Sequence, residues 1–157
     1  MFLTIHCTVG AIAGKYANNI LLAFLSGFIL HFIFDAIPHG DEKLLDDHNH
    51  PRKKELILVA SIAMLDGIVF LLTIGALWYF GKMPADWAVL SGVVGGAVPD
   101  LNSGFYLLTK SKIFKPLFDF HFKIHTLIKK IELTLVQGII FQIAIEAAII
   151  AGIFYLP

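Results

Sequence analysis

From Leu56 to Phe80 the chain is apolar for about 25 residues, interrupted only by Ser61, Asp66 and Thr73. A bilayer crossing needs about 20 predominantly apolar residues to span about 30 Å of hydrocarbon, and this run supplies them. Asp66 lies well inside it. An ionised carboxylate in hydrocarbon costs at least about 2.5–3.5 kcal/mol, so Asp66 is expected to face the bundle interior and to carry a function. Three roles are open to it: metal ligand, orienter of a ligand, or general base.

The rest of the chain reads in the same way. A short helix is expected from Phe2 to Ala13, ending at Gly14. A second, capped by Asn18 and Asn19, should run to Ile37, a fourth from Asp86 or Trp87 towards Pro99, and a last from about Glu132 to Tyr155. Ser91, Gly92, Gly95 and Gly96 suit close helix packing in a membrane. Lysines alternating with aromatics between Ser103 and Lys130 predict an amphipathic interfacial segment. With 57% hydrophobic and 15% charged residues and a mean hydropathy of +0.79, the composition is that of a membrane protein. The expected fold is all-α: one domain over residues 1–157, an integral membrane bundle of four to five membrane helices plus the interfacial segment. The N-terminal stretch has no basic residues ahead of its apolar part, which predicts a retained helix. Zero net charge argues against nucleic acid as a general partner, and the lone Cys7 excludes an intrachain disulfide. The oligomeric state is left open.

Within the second apolar run, His31, Asp35 and His39 recur every four residues, with Asp41 just beyond. On a helix that spacing stacks side chains on one face, and histidine nitrogen with carboxylate oxygen is a donor set for zinc and related divalent ions. Pro38 should bend or stop the helix and release His39 and Asp41 into a loop. His121 and His125 form a second pair one turn apart, and His6 stands alone on an apolar helix. His48 and His50, in a charged loop, are weaker candidates.

If every long apolar run crosses, Lys43, Arg52, Lys53, Lys54, Lys110, Lys112, Lys115, Lys123, Lys129 and Lys130 all fall on one face, opposite Lys15 and Lys82. That face should be cytoplasmic, in a bacterial-type cytoplasmic membrane. The same threading brings His6, His39, Asp41, Asp100, His121 and His125 to that boundary, with His31 about 10 Å below Pro38.

These residues resemble the YdjM-like family of membrane-bound metal-dependent hydrolases. The resemblance rests on His31-x-x-x-Asp35-x-x-Pro38-His39-x-Asp41, the N-terminal His6, Pro99-Asp100 and the later histidine pair. More distantly, the helix HFIFDAIPH is similar to one in zinc-dependent phospholipase C and related zinc nucleases. The family's Pro-Asp-x-Asp is Pro99-Asp100-Leu101-Asn102 here, and its His-Arg-Gly-x-Thr-His-Ser is reduced to His121-Phe-Lys-Ile-His125-Thr126.

The expected function is hydrolysis of a phosphoester or amphiphilic substrate at the cytoplasmic membrane face by a metal-activated water. Asp35 serves as bridging ligand, with Asp35 and Asp66 as the catalytic carboxylates. His6, His31, His39, Asp41, Asp100, His121 and His125 complete one or two sites for a divalent metal, zinc first. The alternatives are a small proton- or metal-ion transporter using Asp66, Glu146 and His31, and an inactive scaffold with a structural metal.

Overall fold

The computed structural model describes residues 1–17, 19–40, 44, 45, 47, 50–128 and 133–155. Among these there are six helices and no strand: α1 Leu3–Tyr16, α2 Ile20–Asp35, α3 Lys53–Tyr79, α4 Trp87–Thr109, α5 Lys115–His125 and α6 Leu135–Tyr155. The fold is therefore all-α, as composition and periodicity predict.

Two helices, α3 and α6, are long and apolar enough to cross a membrane, and only 11% and 17% of their most apolar stretches are buried. Met64, Leu65, Leu71 and Leu72 of α3 are between 66% and 72% exposed. A helix that is apolar all round while most of it lies outside the protein core needs a non-aqueous neighbour.

Helices α1, α3 and α6 run in one direction and α2 and α4 in the other. At one end the Lys15 ammonium donates to the Lys82 carbonyl, Lys82 donates to the Phe154 carbonyl, and the Ser91 hydroxyl donates to the Ile20 carbonyl. The opposite end gathers the start of α1, the ends of α2 and α4, and α5. Among the described residues, Arg52, Lys53, Lys54, Lys110, Lys112, Lys115 and Lys123 follow that second end.

The centre of the bundle is a three-helix contact without side chains. Gly92 lies between the backbones of Gly10 and Gly27, and a Cβ on Gly92 would overlap the Gly10 carbonyl oxygen. This is the close backbone approach that small residues at a helix interface allow.

Several boundaries differ from expectation. Helix α1 continues through Gly14 to Tyr16, because Gly14 is held helical against Ala88 and Val89 of α4. Helix α2 ends at Asp35, two residues short of the expected Ile37, so Ala36 and Ile37 form the turn before Pro38. The cap on α2 is Asn19, whose side chain accepts from the Leu21 and Leu22 amides; Asn18 lies outside the described residues. Helix α4 does not end at Pro99 but continues to Thr109. Pro99 lacks an amide, so the Gly95 carbonyl loses its i+4 donor, while the Ser103 hydroxyl donates to the Pro99 carbonyl at 3.0 Å. The amphipathic segment is accordingly confined to α5, and α6 begins at Leu135; Glu132 lies outside the described residues.

Candidate metal centre

The i, i+4 spacing on α2 does what it predicts: His31 and Asp35 are both 1% exposed and face the interior, with His31 Nε2 2.8 Å from Asp35 Oδ2. His39 follows on the turn after Pro38 and is fully buried. Helix α5 brings its own pair, with His121 Nε2 2.6 Å and His125 Nε2 3.2 Å from Asp35 Oδ2. Helix α1 contributes His6, whose Nε2 is 2.9 Å from Asp35 Oδ1 and whose ring stacks on His31 at 3.8 Å between centroids. Asp100 on α4 lies further out, its Oδ1 3.9 Å from His31 Nε2 and 3.8 Å from His121 Nε2. Asp35 thus stands at the middle of the cluster, with its two oxygens facing two different sets of partners.

Backbone and hydroxyl groups behind the rings fix which nitrogen faces inward. His31 Nδ1 donates to the Gly96 carbonyl at 2.7 Å, and His39 Nδ1 to the Ile37 carbonyl at 2.6 Å. His121 Nδ1 donates to Ser103 Oγ at 2.9 Å, and Ser103 passes its own proton to Pro99. A neutral imidazole has one N–H, so each of these three rings presents an unprotonated Nε2 to the centre.

On the Oδ2 side of Asp35 this leaves the lone pairs of His31 and His121 facing the carboxylate oxygen. His31 Nε2 is 3.1 Å and His125 Nε2 is 2.9 Å from His121 Nε2, and all three converge on one carboxylate oxygen. Acceptors so close repel one another unless a cation lies among them. Four ligands at 2.0–2.1 Å from a tetrahedral zinc would stand about 3.3 Å apart, within the range of separations seen here. The donor set therefore fits a divalent ion. Two groups of described residues could hold one: His31, Asp35, Asp100 and His121; and Asp35, His39 and His125. On the Oδ1 side the Met1 nitrogen lies 2.6 Å from Asp35 and 2.7 Å from His39 Nε2.

Burial is the main influence on His125, lowering its pKa below the ordinary histidine value, and its Nδ1 has no partner among the described residues. It is thereby kept neutral, the form in which imidazole binds a metal.

Asp66 joins neither metal-capable group. Its carboxylate accepts from the Thr4 amide at 3.0 Å and from the Thr4 hydroxyl, tying α3 to the first turn of α1 two residues before His6. Asp41 and His48 lie outside the described residues, and exposed His50 pairs with Asp47. Asn102, standing where the resembled family has an aspartate, donates from Nδ2 to the Phe114 carbonyl at 3.0 Å and so fastens the turn that carries α5.

Sequence reasoning missed Gly96, Ser103 and Gln142 as partners of the site. Gln142 is 1% exposed; it accepts from the Phe2 amide at 2.6 Å and donates to the His39 carbonyl at 3.0 Å, stapling both ends of the cluster to α6. A glutamine inside an apolar helix was the available signal for it, and Ser103 one turn after Pro99 was the signal for the His121 partner.

Comparisons with protein families, curated proteins and solved structures gave no match to this chain.

Proposed function

We propose that the protein is a membrane-bound, metal-dependent hydrolase of the YdjM-like kind, acting on a phosphoester at the membrane surface. The observation that carries this reading is the set of inward Nε2 atoms from His31, His121 and His125 on a single oxygen of Asp35, two of them held in that tautomer from behind. A divalent ion there, zinc first, would supply Lewis acidity and lower the pKa of water near it.

In this reading His31, His121 and Asp35 hold the ion, Asp100 closes the set from its partly exposed position, and His125 and His39 serve a neighbouring position. Asp35, common to both groups, would be shared between them. Gly96 and Ser103 keep the histidines in the ligating tautomer and orientation. Asp66 fixes the register of α1, and with both oxygens already accepting hydrogen bonds it is a positioning residue rather than a base. The apolar outer faces of α2, α3 and α6 support crossing by α1, α2 and α4 as well, which would set the seven basic residues at the site end on the cytoplasmic side.

The test is turnover. Wild type and Asp35→Ala are assayed on phospholipids, soluble phosphodiesters, phosphomonoesters and amides, with hydrolysis of a phosphoester by the wild type alone expected. Equal rates for both proteins on every compound would leave a scaffold with a structural metal.

A further inference from the structure

Helices α3 and α4 share one apolar cluster, through Ile74, Leu77 and Val89, at the end remote from the site. Towards the site end they separate, because Asp66 ties α3 to α1 while α4 stays against α1 and α2. The gap is a groove of about 440 Å³. Its walls are Leu56, Val59 and Ala63 on one side and Leu101, Phe105 and Leu108 on the other.

The groove is continuous with the metal cluster. Asp100 and Ser103 line it, and the same two residues line a smaller cavity of about 180 Å³ that is bounded by His121 and His125. Apart from Asp66, Asp100 and Ser103, water has few polar partners along such walls. Between two apolar helices in a bilayer, the molecule at hand with matching chemistry is a lipid chain.

We propose that the substrate is a membrane lipid that enters sideways from the bilayer, lays a hydrocarbon chain between α3 and α4, and so brings its phosphoester to Asp100 and the histidines. The substrate part of this inference rests on the hydrolase reading; the occupancy of the groove does not. Hydrocarbon gains no hydrophobic energy on moving from lipid to the groove, since both are equally apolar. The groove therefore acts by alignment, and closing it should slow chain-bearing substrates without touching the metal.

Gly104 provides the means. It lines the groove, and a Cβ built on it meets no atom within 4 Å, so a larger side chain there fills the groove without displacing a neighbour. Ala63→Phe closes it from the opposite wall. Gly75 on α3 is equally open and lies outside the groove, which makes Gly75→Leu the control.

The experiment uses the full chain in phosphatidylcholine vesicles containing phosphatidic acid with a photoactivatable group on its acyl chain. Crosslinks are mapped by mass spectrometry, and bound metal and hydrolysis are measured alongside. Crosslinks should concentrate on Val59, Ala63 and Phe105. Gly104→Leu and Ala63→Phe should remove most of them and slow lipid hydrolysis by up to about 10²-fold, with metal content and the rate on a short soluble phosphodiester unchanged. Crosslinks spread evenly over the outer faces of α2, α3 and α6, and insensitive to both groove variants, would overturn the proposal even if lipid is hydrolysed. Groove-specific crosslinks without hydrolysis of any phosphoester would keep the groove as a lipid site and remove the hydrolase reading.

Discussion

The His121 imidazole and the Ser103 hydroxyl form a directed pair, with Nδ1–H donating to Oγ at 2.9 Å and Oγ–H donating onward to the Pro99 carbonyl at 3.0 Å. Because the serine proton is committed to Pro99, Ser103 can only accept from His121, and Nε2 of the ring is left to the cluster. The helix that carries Ser103, α4, is the one that was expected to stop at Pro99. Its continuation past the proline is what sets Ser103 one turn beyond, behind His121.

Ser103→Ala should therefore weaken metal binding by about 10–100-fold while leaving the helices intact. Competition with a chelator of known affinity reads the first, and circular dichroism reads the second. Unchanged affinity would mean that the tautomer of His121 is set by something else.

Gly96 has two duties. Its carbonyl holds His31 Nδ1, and its missing Cβ lets the His6 carbonyl approach. Gly96→Ala should cost about 1–3 kcal/mol through overpacking and lower metal occupancy with it. Gly67→Ala, where a Cβ meets nothing within 4 Å, should be neutral or stabilising by about 0.5–1 kcal/mol, as expected of alanine in a helix interior. Thermal unfolding in detergent compares the two.

What the sequence revealed of the site was the part carried by local spacing. His31 and Asp35, and His121 and His125, share faces because a helix repeats every 3.6 residues, and Pro38 released His39 because proline ends a helix. Threading by apolar runs then brought the two pairs to one end. Hydrogen bonds between distant segments leave no such trace. Nothing in the spacing of Thr4 and Asp66 announces that they meet, and nothing about Gly96 marks its carbonyl as the partner of His31. Boundaries failed where tertiary packing overrode a local signal, as at Gly14 against α4 and at Pro99 with the Ser103 hydroxyl behind it.

Asp66→Asn should leave metal content intact. An amide has one acceptor oxygen where the carboxylate has two, so one of the bonds to Thr4 is lost, at about 1–3 kcal/mol. Elemental analysis and thermal unfolding of the same preparation check both halves. Metal loss at preserved stability would restore Asp66 as a ligand.

His125 gives the metal-free protein a pH dependence. Burial depresses its folded pKa below the ordinary 6.5, so between the two values the unfolded chain binds more protons than the folded one, and stability rises with pH. As pH falls below about 6.5, metal-free wild type should lose more stability than His125→Gln. Parallel stability curves for the two would contradict this assignment.

The central claim is that the nitrogens around Asp35 enclose a cation, and its most direct test is the metal content of the protein. Purified from detergent without chelator, the wild type should carry at least about one divalent ion per chain, zinc first, and Asp35→Ala combined with His121→Ala should carry none while remaining helical. A wild type free of metal, and still free after incubation with zinc, would contradict the account.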